Sequence, residues 1–438
     1  MDTDKTTLAD LSIFTAEEEF SVFDKLNLTR TALGREQLRF NFTQAQQSVD
    51  EIRGVQQTIK FIREHRLRWP MQINNGTLMV IERFYDTSVD QIPSRPGLIV
   101  AMNYKIFHSS DFSFVKYSVN HCFEFIRGIQ ILINEFLTDD TPAPLKKVLE
   151  DSKRIINKER LNVIERFKSP AELNTQQILQ LANFIRYHHK RQMYELLDAY
   201  AQLDAWWSMA EAVEQYRLVF PEFIESQQPL LSCKSLYHLL LKKPVAYDVE
   251  LDPQNNFLFL TGANMAGKST FIKSVGIAVF LAHTGMGVPA DKMRLTFFDG
   301  LLSNINVVDN VVKGESYFYN EVQRIKTTVT RINNGKKWLI LIDELFKGTN
   351  VQDAMKCSST VIEGLLKIKN SLFILSTHLY EIGEDLRKYP NIGFKYFETT
   401  VTGEQLEFSY QLKDGISNDR LGYLILKKEG VVELLSKL

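Results

Sequence analysis

The stretch Phe257–Gly276, FLFLTGANMAGKSTFIKSVG, constrains the fold more than any other part of the chain. An apolar run leads into a glycine loop, and a lysine and a serine then open an apolar-periodic segment. Gly262, Gly267, Lys268 and Ser269 fit the pattern G-x-x-x-x-G-K-[ST], which has physical meaning only where a buried strand runs into a helix. There the glycines let backbone N–H groups approach phosphate oxygens, and the helix N-terminus adds partial positive charge. The candidate nucleotide-binding residues are therefore Gly262, Ala263, Asn264, Met265, Ala266, Gly267, Lys268, Ser269 and Thr270. Lys268 is expected to reach the β- and γ-phosphates of ATP, and Ser269 to ligate Mg²⁺.

Such a site needs a carboxylate at the end of a second buried strand. KKWLILIDELFKGTN supplies it, with Asp343 and Glu344 after the apolar run WLILI. Asp343 is expected to hold Mg²⁺, and Glu344 to polarise the water that attacks the γ-phosphate. SLFILSTHLYE gives a third apolar strand, after which His378 is placed to sense that phosphate. Glu344, His378 and Lys268 are the candidate catalytic residues, and the reaction they imply is ATP hydrolysis.

The rest of the chain falls into two textures. From about residue 236, apolar runs alternate with helical segments, the rhythm of a largely parallel sheet with covered faces. VAYDVEL alternates as a half-buried strand does. Before residue 235 the chain reads as helical almost throughout. Val49, Ile52, Val55, Ile59 and Ile62 share one face, and LQLANFIRYHHKRQMYELLDAYAQLDAWWSMAEAVEQY keeps a helical period without Pro or Gly. The expected organisation is an all-α lever or core domain over 1–235, then an α/β P-loop (ABC-type) ATPase domain with a mainly parallel sheet over 236–438.

Over 438 residues the net charge is −1, so any nucleic-acid contact has to come from a local basic patch. The N-terminus is polar and acidic, unlike a signal peptide. VGIAVFLAHTGMGV is too short to span a bilayer and holds His283, so no membrane association is expected. Cys122, Cys233 and Cys357 form no metal spacing and read as reduced thiols in a cytoplasmic protein.

TGANMAGKST, GVPADK, GESYFYNEV, LIDELFKGTNVQD and STHLYE together resemble the ATPase domain of the MutS family of DNA mismatch-repair proteins. YQLKDGISNDRLG resembles that family's closing segment. TALGREQLRFNF with DEIRGVQQTIKFI, and LDAWWSMAEAVEQYRLVFPEF, look like its core, lever and returning helices. The resemblance implies that Ser316 reaches across a dimer to the partner's γ-phosphate and that Asp353 faces the partner. A homodimer, or a heterodimer with a relative, would then complete each ATP site. It also implies DNA as a partner in mismatch repair or related maintenance.

The departures narrow this. Ala266 and Ala263 replace a glycine and a proline of the family's loop, but alanine keeps its N–H. The position that carries an adenine-stacking aromatic looks to be Pro244, with Tyr247 as the nearby substitute. The Phe-x-Glu at Phe220–Glu222 lies in the returning segment and reads as structural, so the mismatch wedge and its domain are expected to be missing. The DNA clamp is expected to be reduced or absent, with no helix-turn-helix tail and no added nuclease domain. Arg186, Lys190 and Arg191 are the DNA-contact candidates, whereas the basic stretch 146–168, interleaved with acids, reads as a solvated face. Action on branched DNA or on a nucleoprotein partner, and a mechanical role without nucleic acid, stay open beside mismatch repair.

Overall fold

The computed structural model describes residues 1–14, 20–306, 317–402, 405–417, 427 and 431–435. They form a mixed α/β protein with a mostly parallel main sheet and many helices. The described strands are β1 (Asp2–Thr3), β2 (Glu222–Phe223), β3 (Leu231–Leu236), β4 (Tyr247–Leu251), β5 (Phe257–Thr261), β6 (Lys292–Leu295), β7 (Gly300–Asn304), β8 (Trp338–Asp343), β9 (Ser371–Ser376), β10 (Ile392–Thr402) and β11 (Gln405–Asp414).

The main sheet has the order β1-β7-β8-β9-β5-β10-β11. All its pairings are parallel except β10 with β11, which run antiparallel. Every residue of β5, β8 and β9 is buried, as expected of strands with helices on both faces. Phe257 of β5 stacks on Phe373 of β9 with ring centroids 5.6 Å apart, which fixes the centre of the sheet. Helix Lys268–His283 follows β5 and is buried on nearly all sides, which accounts for the apolar run VGIAVFLAH. No helix among the described residues is long and apolar enough to cross a membrane. A second sheet, β2-β6-β3-β4, holds the VAYDVEL strand, whose burial alternates as its sequence does.

The chain divides into two compact units, and they interleave rather than meeting once near residue 235. One holds Met1–Lys25, Ala45–Ile52 and Tyr216–Leu438; the other holds Leu26–Gln44 and Arg53–Gln215. The first 25 residues, expected in the helical domain, belong to the α/β unit for a definite reason. β1 adds to the sheet edge beside β7. Asp10, 2% exposed, then accepts hydrogen bonds from the Ser303 hydroxyl (2.5 Å) and from the N–H groups of Ile305 and Asn306 (both 3.1 Å). A buried carboxylate is tolerated only where donors surround it, so this pairing is specific.

In the helical unit the long helices are Ser109–Phe136 and Lys190–Gln215. The helix expected to run unbroken through 179–216 is interrupted. Helix Thr175–Asn183 gives way to a wider π turn at Phe184–His188 before Lys190–Gln215 begins. The Asn183 amide donates to the Ile92 carbonyl at 2.8 Å, and Arg186 donates to the carbonyls of Phe84 and Thr87. Asn183 lies just before the turn and Arg186 within it, and a one-residue slip in helical register suits both contacts. Asp204, fully buried, accepts from the Thr31 hydroxyl (2.7 Å) and from the N–H groups of Arg30 and Thr31, and so anchors the start of helix Ala32–Thr43. A Cβ on Gly34 would lie 2.1 Å from its Oδ2, which is why TALG carries glycine there.

Candidate functional site

The glycine loop leaves β5 at the middle of the main sheet, between β9 and β10. Gly262 has φ 136° and Gly267 φ 110°, a left-handed region that strongly favours glycine. A Cβ on Gly262 would stand 3.2 Å from the Phe397 carbonyl oxygen of β10, so close backbone approach also excludes a side chain. Ala263 and Ala266 are buried, whereas Asn264, Met265 and Ser269 are exposed along the loop's outer side. Helix Lys268–His283 starts at Gly267 with no side-chain cap and no acid in its first turn. Its N-terminal N–H groups and positive dipole end are thus open to an anion.

Lys268 is 5% exposed and donates to the loop's own carbonyls, Gly262 O at 2.8 Å and Ala263 O at 2.9 Å. Burial pulls its ammonium down to about 8, against the pull of Glu344 and Asp343 in the other direction. Asp343 ends β8, buried, with the Ser376 hydroxyl of β9 donating to its Oδ1. Glu344 follows in a left-handed conformation, φ 63°. Its Oε1 lies 2.7 Å from His378 Nε2 and its Oε2 lies 3.1 Å from Lys347 Nζ. Burial would raise the Glu344 carboxyl, but the hydrogen bond and charge of His378, with Lys347, outweigh it and hold it at about 2. His378 Nε2 is also 3.3 Å from Lys268 Nζ, so the three expected catalytic residues meet at one point.

A cleft of about 450 Å³ opens beside this point, lined by His238, Val245, Tyr247, Lys268, Glu344 and Tyr410 among others. Pro244 is not among its lining residues, and Tyr247 is 7% exposed with its ring held edge-on by Phe271 and Phe397. The aromatic side chain open to the cleft is Tyr410 of β11, 41% exposed, which the sequence reading missed. It also missed His238, whose Nδ1 is buried without a hydrogen-bond partner. Burial, then Lys273 and Lys25, push that imidazole down to about 4 and keep it neutral. A third missed residue is Glu321, 3% exposed, which accepts from the N–H groups of Lys347 and Gly348 (3.1 Å each) and so fixes the turn after Glu344. No local pattern marks these three, because each acts through residues far away in sequence.

Asp353 lies exposed at the start of helix Val351–Leu365, bonded to Asn350. Ser316 lies outside the described residues. The DNA-contact candidates are already engaged. Arg186 holds two backbone carbonyls, Lys190 sits over the rings of Tyr85 and Tyr194, and Arg191 pairs with Glu195. The stretch read as a solvated face behaves as two parts. Arg154 does pair with Asp151, but Arg160 and Arg166 line a cleft of about 410 Å³ with Arg95, Gln177 and Gln180.

The model of MutS domain V matches residues 258–435, which contain the glycine loop, Asp343, Glu344 and His378. The match and the relatives support a MutS-family protein. It is 25% identical over 298 residues to the DNA mismatch repair protein MutS of Petrotoga mobilis, covering 67% of this chain and 35% of that protein. It is 27% identical over 292 residues to the protein of the same description from Staphylococcus haemolyticus (64% and 32% covered). It is 30% identical over 245 residues to MutS protein homolog 4 of Homo sapiens (53% and 25% covered). The chain thus spans about a third or less of the length of these curated relatives.

Proposed function

We propose that this MutS-family chain is a P-loop, ABC-type ATPase that hydrolyses ATP to ADP and phosphate and couples the cycle to lever movement on DNA. The observation that carries the reading is the meeting of Lys268, Glu344 and His378 beside Asp343 at one glycine loop. The residues fit the ligand. The uncapped helix start and the buried, unpartnered His238 Nδ1 are donors and acceptors awaiting one. The loop N–H groups and Lys268 would take the β- and γ-phosphates, and the Tyr410 ring would offer the base a stacking face. Ser269 and Asp343 would hold Mg²⁺, which when bound neutralises phosphate charge. Glu344 would receive the proton of the attacking water once it exchanges its bond to His378, and His378 would then answer to the γ-phosphate. Ser316 and Asp353 of a second copy or of a relative would complete the site.

DNA as the partner is supported by relatives described as DNA mismatch repair proteins and by the arginine-lined cleft of the helical unit. A second reading, action on a protein partner without DNA, is favoured by the engagement of Arg186, Lys190 and Arg191. Three free cysteines suit a cytoplasmic setting for either. Gel shift with homoduplex, mismatched, branched and single-stranded DNA at defined salt, with and without ATP, separates them. A nucleotide-dependent shift is expected; no shift, together with no effect of DNA on phosphate release, would overturn the DNA reading and leave the ATPase reading standing.

A further inference from the structure

Helix Leu98–Phe107, in the helical unit, turns its apolar side outward. Leu98, Ile99, Val100, Met102, Ile106 and Phe107 are between 47% and 78% exposed, while Ala101 and Tyr104 face inward. At 3.6 residues per turn the six sweep about 200° of the helix circumference, with Ile99 and Ile106 at the centre. Lys105 is the helix's one charged side chain. The exposed fractions amount to roughly 700 Å² of apolar surface, above the largest patch of an ordinary monomer. Two such faces together reach the range of about 1,200–2,000 Å² that a stable protein–protein interface buries.

We infer that this helix packs against the same helix of a second copy of the chain, antiparallel about a two-fold axis near Met102. The surroundings of the helix are self-complementary in that arrangement. The chain enters it past Arg95, an exposed cation, and leaves it at His108 beside Asp90 and Asp111. An antiparallel pair therefore sets the cationic end of one copy against the acidic end of the other, and opposes the two helix dipoles favourably. A lipid surface fits worse, because helices that lie on membranes carry Lys and Arg along their polar face. Here the face opposite the apolar arc is buried in the protein itself. This contact is separate from the one proposed through the ATP sites and does not depend on nucleotide.

Sedimentation velocity on the full chain without nucleotide is expected to show twice the 50.6 kDa chain mass, and Ile99→Glu to return it to the single mass. Ile99 is 77% exposed, so the substitution does not disturb folding, which circular dichroism checks. In a Cys357→Ser background, where Cys122 and Cys233 stay buried, Met102→Cys is expected to form an inter-copy disulfide on oxidation. A single-mass species at all concentrations without nucleotide overturns the inference. A dimer that needs ATP and ignores Ile99→Glu does so too, while leaving the composite ATP site standing. A single-mass protein captured by phosphatidylcholine vesicles, and released by Ile99→Glu, would assign the face to a membrane instead.

Discussion

Replacing Glu344 by glutamine keeps the shape of the side chain and removes its charge, and the structure says what that charge is worth. The carboxyl is held at about 2 against an ordinary 4.5. That distance corresponds to about 3 kcal/mol of preference for the ionised form, supplied by His378 and Lys347 against the cost of burial. Three outcomes are expected of Glu344→Gln. Phosphate release should fall by a factor on the order of 10²–10⁴, the usual contribution of a positioned base, or about 3–5 kcal/mol of barrier. ATP should still bind, because Lys268 keeps Asp343 as its anionic neighbour. Stability at pH 7 should fall by about 1–3 kcal/mol, since glutamine forms no ion pair with His378 or Lys347. The sign follows from a depressed carboxylate. Its contribution is present above the unfolded value near 4.5 and is lost as pH falls towards 2, so the two proteins should converge in stability on the acid side. Steady-state phosphate release, equilibrium binding of a labelled ATP and urea unfolding from pH 7 down towards pH 2 measure the three. Unchanged turnover in the variant would refute the role given to Glu344, and an unchanged unfolding midpoint would refute the ion-pair argument.

Three further outcomes are expected. Free Lys268 is about half neutral at pH 8, so ATP binding there should take up roughly half a proton and close to none at pH 6; calorimetry in buffers of different ionisation enthalpy reads this directly, and no difference between buffers at pH 8 would refute it. Asp204→Ala leaves the Arg30 and Thr31 N–H groups and the Thr31 hydroxyl without their acceptor and should cost about 3–5 kcal/mol in urea unfolding, with Asp204→Asn costing less. Arg160→Glu with Arg166→Glu should weaken DNA binding to all sequences alike and lower the slope of log affinity against log salt by about 2; an unchanged slope removes that cleft from the interface.

The glycine loop, the D-E pair and the strand-end histidine were legible because each is a local pattern in which a few consecutive residues fix the backbone. Gly262 and Gly267 have to take φ values that other residues avoid, so the sequence declares them. Asp10, His238, Glu321 and Tyr410 were not legible, since their partners lie far along the chain and no short spacing connects them. The DNA candidates misled for a related reason. A run such as RYHHKRQ shows charge density, but whether Arg186 faces solvent depends on the carbonyls of Phe84 and Thr87, which only the fold brings near. The same contacts broke a helix whose periodicity alone ran on without interruption. The division expected near residue 235 followed texture, whereas the sheet edge is completed by residues 2 and 3.

That last pairing orders events while the chain is being made. Thr7 and Asp10 meet Ser303, Ile305 and Asn306, which leave the ribosome roughly 300 residues later, or about 15–60 s at ordinary synthesis rates. Until then Asp10 has none of these donors and stays solvated, and the edge at β7 has yet to form. The helical unit, Leu26–Gln44 with Arg53–Gln215, is complete long before this, so it is the part free to fold first. The α/β unit closes only when its earliest and latest segments are both present, and a chain released too soon would carry its first strand with nothing to pair it.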